Sequence, residues 1–259
     1  MAALLEIGGL EISFGGVKAL HGVGLTLAAG EILALIGPNG AGKTTVFNCI
    51  SGLYRPQAGS IRVDGLELVG RKPHRIAAAG IARTFQNIEL FRHMSTMDNL
   101  LLGRHLFLRT GLLSGMALFG PKSPAAREEM RHREKVEEII DFLDLQAARN
   151  QIVGNLPYGT QKVVELGRAL AMEPKVLLLD EPAAGMNLEE KHDLRIWIED
   201  ISTRFGIAVL LIEHDMQFVS DLADRVIALN YGENIAEGTP EAVRAHPEVL
   251  RAYLGADAT

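Results

Sequence analysis

The sequence is short of several things, and each shortage narrows its function. Among 259 residues there is one cysteine, Cys49, so no internal disulfide is available. Cys49 reads as a small buried apolar residue in the segment after a glycine-rich loop. The eight histidines show no metal-ligand spacing. No apolar run approaches the roughly 20 residues that span a bilayer. The start, Met1 to Glu6, lacks a basic region followed by a long apolar one, so no signal peptide is expected. Basic excess is missing too: the formal net charge is −6, which argues against a nucleic-acid partner. There is no internal repeat and no low-complexity tract. The composition, 47% hydrophobic and 22% charged, suits a globular chain with a large core. Its length allows one large α/β domain, or one domain carrying an insertion.

The stretch Gly37-Pro38-Asn39-Gly40-Ala41-Gly42-Lys43-Thr44-Thr45 fits G-x-x-x-x-G-K-[ST] at every fixed position. The apolar, strand-like run Ile32 to Ile36 enters it and a helix-compatible run, Thr45 to Ile50, leaves it. Glycines at these places let backbone N–H groups turn inward around a phosphate, and the following helix N-terminus suits an anion. Lys43 is expected to reach the β- and γ-phosphates and the Thr44 hydroxyl to ligate Mg²⁺.

Around this loop the chain alternates strands and helices. Leu5-Ile7 and Leu10-Ile12 bracket a Gly8-Gly9 turn, and Val23, Leu25 and Leu27 alternate with period two. Phe14, beside Gly15-Gly16, reads either as a turn aromatic or as a platform for a purine base. Ser60 to Val63 is a strand followed by the hairpin signal Asp64-Gly65. Lys72 to Ala79 is a short helix ending at Gly80, and Ile81 to Phe85 is a strand with Gln86 at its end. Helical character takes over from Leu90 to Gly154. Val136, Ile139, Ile140 and Leu143 share one face there, while Glu128, Glu129, Arg131, Arg133, Glu134 and Lys135 form a solvated outer face. Thr110 to Pro121, apolar and broken by glycines, is a mobile lobe of this block or a docking surface for an apolar partner. Lys175 to Pro182 is a buried parallel-type strand ending in Asp180 and Glu181. Leu188 to Thr203 is a helix, and Ile207 to Ile212 is another buried strand with His214 just beyond it. Arg225 to Glu237 is a hairpin, and two short helices beginning at Pro240 and Pro247 close the chain.

In an open α/β sheet, ligands bind beyond the carboxyl ends of the strands. Four strand ends carry suitable groups. Beyond the phosphate loop these are Asp180 to hold Mg²⁺, Glu181 as general base, His214 to hold the γ-phosphate and water in line, and Gln86 to contact the metal or that water.

With these residues together the chain resembles an ATP-binding cassette (ABC) ATPase along essentially its whole length. Gly37 to Thr44 matches the Walker A motif and Leu177 to Glu181 the Walker B strand. Gln86 and His214 match the Q- and H-loops, and Phe14 stands where the family stacks adenine. Leu156-Pro157-Tyr158-Gly159-Thr160-Gln161 stands at the L-S-G-G-Q signature and Ala184 to Asn187 at the D-loop. The stretches Gly80 to Asn87, Asp180 to Asn187, Ile212 to Met216 and Ala236 to Gly255 are similar to the larger ATPase subunit of branched-chain amino-acid importers. The resemblance implies an α/β P-loop NTPase with a parallel core sheet, an N-terminal antiparallel β-subdomain and an inserted α-helical subdomain. Core and β-subdomain would span 1–86 and 163–259, and the helical subdomain 87–162.

The resemblance also implies ATP and Mg²⁺ as ligands, with nucleotide contacts from Phe14, Asn39, Gly40, Ala41, Gly42, Lys43, Thr44 and Thr45, and from Gly159 of a facing copy. Glu181, His214 and Gln86 would be catalytic; Thr44, Gln86 and Asp180 would be metal-facing. The implied setting is the cytoplasmic face of the membrane, as a peripheral subunit. Partners would be a second ABC ATPase subunit, two integral-membrane permeases and, indirectly, an external solute-binding protein. Alternatives are the ATPase of a urea or lipopolysaccharide transporter, a soluble ABC protein of translation or repair, or a P-loop small-molecule kinase. The soluble proteins usually carry two cassettes or long coiled-coil insertions, and the chain has neither.

Two positions depart from the family pattern. Pro157 replaces the signature serine and supplies neither hydroxyl nor N–H, and Asn187 replaces the common D-loop aspartate. The expectation is a half-site that hydrolyses slowly or leans on its partner. Pro157→Ser, assayed in the assembled transporter, should raise ATP turnover or favour dimer closure; unchanged values in both would contradict this.

Overall fold

The structure, a computed structural model, describes residues 3–107 and 124–256, so the apolar stretch from Thr110 to Pro121 lies outside the described residues. Its contacts divide the chain into two compact units. The first comprises Met1–Gln86, Lys175–Ala184 and Leu188–Thr259, and the second comprises Asn87–Pro174 and Gly185–Asn187.

In the first unit, β1 (Ala3–Phe14), β2 (Val17–Ala28), β4 (Ala58–Val63) and β5 (Leu66–Glu67) form an antiparallel sheet in the order β2-β1-β4-β5. The Gly8-Gly9 pair does not end a strand, as its sequence suggests. β1 runs straight through it, with a register shift between Ile7 and Leu10. A bulge absorbs the extra residue, and Gly9 takes the left-handed φ of 61° that such a bulge needs. The β1–β2 turn pairs Phe14 with Val17 across Gly15 and Gly16, both at positive φ.

The second sheet has the order β10-β9-β3-β8-β7-β6. Its strands are β3 (Ile32–Ile36), β6 (Ile81–Arg83), β7 (Val176–Asp180), β8 (Ala208–Ile212), β9 (Arg225–Asn230) and β10 (Glu233–Gly238). β9, β3, β8, β7 and β6 are parallel, and β10 closes the edge antiparallel to β9. β3, β7 and β8 are buried along their whole length, which explains why each reads as an unbroken apolar run. The helices α1 (Lys43–Ile50), α2 (Pro73–Ala78), α6 (Leu188–Thr203), α7 (Met216–Leu222), α8 (Pro240–Arg244) and α9 (Pro247–Ala256) complete this unit. One apolar cluster joins both sheets to α1, through residues such as Leu5, Leu25, Leu35, Val46, Phe47, Ile50, Leu210 and Ile227.

The second unit holds α3 (Thr96–Gly103), α4 (Pro124–Phe142) and α5 (Tyr158–Leu170). Its boundary departs from the expected 162. It runs to Pro174, because α5 is one continuous helix whose apolar face belongs to this unit. The outer face of α4 also needs correction: Glu128 is only 6% exposed. Glu128 and His132 stand eight and four residues before Val136, so they continue the buried stripe of Val136 and Ile140. Arg104, also buried, meets them there and donates from Nε to His132 Nδ1 at 3.3 Å.

Candidate functional site

The four chemically equipped strands are neighbours, in the order β3-β8-β7-β6, and all run the same way. Their carboxyl ends therefore share one edge of the sheet. Register keeps them level: Leu35 and Asp180 both pair with Ile212.

The glycine-rich loop leaves β3 at Gly37 and enters α1 at Gly42. Both glycines have positive φ, 148° and 103°. α1 has no side-chain cap and no acidic residue in its first turn. The N–H groups of that turn, from Lys43 to Thr45, have no intrahelical partner and present a partial positive charge. Lys43 folds back over the loop, its Nζ donating to Gly37 O at 2.7 Å and Pro38 O at 3.0 Å. Burial pushes the Lys43 ammonium below its ordinary pKa, while the Glu181 and Asp180 carboxylates pull it back up. Asn39, Gly40 and Thr44 are exposed, Thr45 is half-buried and Ala41 is buried.

At the end of β7 the chain turns sharply. Glu181 sits at φ 50°, a left-handed conformation that costs a non-glycine residue about 1–3 kcal/mol. Its N–H still donates to Ile212 O at 2.9 Å, so the turn is anchored to β8. The strained backbone delivers the carboxylate to two donors: His214 Nε2 lies 2.8 Å from Oε1, and Gln86 Nε2 donates to Oε2 at 3.0 Å. Three residues that sequence reasoning singled out separately thus meet at one carboxylate.

Asp180 is buried and paired with Arg83, whose Nη2 donates to Oδ2 at 2.8 Å. Arg83 Nη1 also donates to Asn48 Oδ1 at 2.8 Å and Ser51 Oγ at 3.3 Å, tying β6 to α1. Its guanidinium lies over the Phe47 and Phe85 rings, 5.4 and 5.0 Å from their centroids. Phe14 is 44% exposed and meets Tyr54 edge-on, with ring centroids 5.0 Å apart. Gly159 belongs to the second unit, buried in the first turn of α5; its N-cap, Pro157, makes no side-chain cap.

Sequence reasoning gave no role to Arg83, Tyr54 or Glu213. Glu213 is 4% exposed and binds two turns at once. Its Oε1 accepts from Ala183 N at 2.9 Å, just past Glu181, and its Oε2 accepts from His214 N at 3.0 Å. The one available signal was an acidic residue directly after a fully apolar strand, a place where burial demands partners.

These features define a P-loop nucleotide-binding fold. Comparison with known proteins gives the family. Residues 20–184 match the family model described as ABC transporter, and residues 233–259 match one described as branched-chain amino acid ATP-binding cassette transporter. The chain belongs to the ATP-binding cassette transporter family. It is 43% identical to BraF of Pseudomonas aeruginosa, a high-affinity branched-chain amino acid transport ATP-binding protein, over 97% of this chain and 98% of that one. It is 42% identical to LivG of Escherichia coli K12, of the same description, over the same shares of the two chains. Among solved structures, the ADP conformation of MJ1267, an ATP-binding cassette of an ABC transporter, superposes with a TM-score of 0.84 at 30% identity. That match covers 98% of this chain and all of the other, 100%.

Burial pushes the Glu213 carboxyl above its ordinary value, against the lowering effect of the Ala183, His214 and Asp215 amides. A carboxyl raised on folding binds more protons folded than unfolded, so its stabilisation is greatest at low pH and is lost as pH rises through the folded value. The stability of the native chain relative to Glu213→Gln, measured by urea unfolding, should fall as the pH rises above the ordinary carboxylate range. A flat difference would contradict this.

Proposed function

We propose that this chain is the ATP-hydrolysing subunit that powers an importer of branched-chain or related amino acids. The observation that carries the hydrolytic reading is the meeting of Gln86, Glu181 and His214 at one carboxylate, on the sheet edge that also carries the phosphate loop. The solute class is supported by near full-length identity to BraF and LivG and by the match of the C-terminal segment.

The geometry supports the following roles. Lys43 and the first-turn amides of α1 neutralise the phosphate oxygens of ATP, with Asn39, Gly40, Ala41, Gly42, Thr44 and Thr45 forming the cradle. Phe14, with Tyr54 braced against its ring, offers the base an aromatic face. Glu181 takes the proton of the attacking water. His214 and Gln86, each donating to one of its oxygens, hold the carboxylate plane until substrate displaces one of them.

Thr44, Gln86 and Asp180 fit a Mg²⁺ ion in donor chemistry: a hydroxyl, an amide and a carboxylate are hard oxygen ligands. Among the described residues, no group of three or more His, Cys, Asp and Glu could hold an ion alone. That suits an ion that brings water and phosphate oxygens with it. When bound it would neutralise charge on the phosphates. Arg83 holds Oδ2 of the Asp180 carboxylate.

Two cassettes would face each other, the Gly159 region of one against the nucleotide held by the other, each docked to an integral-membrane permease at the cytoplasmic face. No helix among the described residues is long and apolar enough to cross a membrane. An external solute-binding protein would choose the solute.

Nucleotide retention tests the site, and hydrolysis tests the base. Lys43→Ala should abolish retention of labelled ATP in the presence of magnesium; unchanged retention would overturn the reading. Glu181→Gln should keep ATP affinity and lower turnover by about 100-fold or more. Native turnover in that variant would remove Glu181 from its role.

A further inference from the structure

The last part of the chain braces the phosphate loop from behind. A Cβ on Gly37 would lie 2.2 Å from Leu229 O, at the end of β9. One turn later, Gly232 N–H donates to Ala41 O at 2.9 Å, and Gly232 O accepts from His21 N at 2.8 Å. A third contact comes from a side chain. The Gly37 N–H donates to the Tyr253 hydroxyl oxygen at 2.9 Å, across 216 residues of sequence. Tyr253 stands on α9, inside the stretch that matches the C-terminal family model. Burial pushes its hydroxyl above the ordinary tyrosine value, which keeps it neutral at physiological pH.

The hydroxyl acts on the loop through one residue. Gly37 gives its N–H to Tyr253 and its carbonyl to the Lys43 ammonium at 2.7 Å. Gly37 is itself buried, so an N–H left without an acceptor there would be costly. Rotation of either flanking peptide would move the oxygen against which Lys43 is set. Glycine has more backbone freedom to lose than any other residue, and here both its N–H and its carbonyl are tied.

We infer that Tyr253 is a positioning residue for nucleotide binding: its hydroxyl holds Gly37, Gly37 sets Lys43, and the C-terminal segment is thereby part of the phosphate site. This rests on the reading of the loop as an ATP site. The hydroxyl touches no phosphate; it fixes the group that does. The cost of losing it falls on binding, and the proton transfer at Glu181 is left alone.

The test uses the full chain, a fluorescent ATP analogue with magnesium, and steady-state hydrolysis. Tyr253→Phe removes the acceptor and little else. It should weaken nucleotide affinity about three- to tenfold and raise KM to match, with kcat at saturation unchanged within about twofold. Backbone hydrogen exchange should accelerate in the peptide holding Gly37. Tyr231→Phe, at an 81% exposed tyrosine in the β9–β10 turn, serves as the control and should bind as the native chain does. Native affinity in Tyr253→Phe overturns the inference, whatever happens to its melting temperature. So does a fall in kcat with KM unchanged. If Tyr253→Phe does not fold, 3-fluorotyrosine at position 253 weakens the acceptor without removing it. A smaller loss of affinity in the same direction is then expected, and none would overturn the inference. A native chain that retains no nucleotide would instead sink the functional reading itself.

Discussion

The absence of a side chain at Gly37 is the constraint from which the site is built. With Leu229 O occupying the place of a Cβ, β9 can lie close enough to β3 for parallel pairing to run up to Ile36 and Ala228. The loop then leaves the sheet at one defined angle, and α1 starts with its amides facing outward from an uncapped end. An ordinary helix start would satisfy those amides with a serine or aspartate cap. Here that stabilisation is forgone, and an anion can supply it.

Charge is handled on the same principle of incomplete compensation. Asp180 lies in a nearly dry place, 3% exposed as a side chain, opposite a guanidinium that is itself 7% exposed. A buried pair of this kind adds little net stability, but removing either partner strands the other. Its value lies in direction: Arg83 is held by Asn48, Ser51 and two aromatic rings, so Asp180 has a fixed counterpart. Glu213 does for the backbone what Arg83 does for the carboxylate. It gathers the amides of two turns, and those turns carry Glu181 and His214.

What could be read from the sequence and what could not divide by range. The phosphate loop, the apolar strands and the residues at their ends are local patterns: a run of five buried residues, then a glycine or an acid. These gave the fold class, and the sheet order placed the ends side by side. Gly8-Gly9 was misleading because a bulge and a turn use the same residues, and only the partner strands β2 and β4, each paired on both sides of the shift, decide between them. Glu128 was misleading because its charge outweighed its position on the helix. Arg83 and Glu213 needed partners 97 and 30 residues away. No spacing rule reaches that far, and neither residue belongs to a motif defined by contact with substrate.

Cys49 lies on α1, directly behind the phosphate loop, buried and with its thiol raised to about 11 by that burial. At neutral pH almost none of it is thiolate, the form that reacts with alkylating reagents. The sole native cysteine is therefore a silent background for maleimide chemistry. Spin labels or fluorophores can be attached through cysteines introduced on the surface without first mutating Cys49. A helix so close to the nucleotide can then stay native in experiments that follow the movements of the cassette.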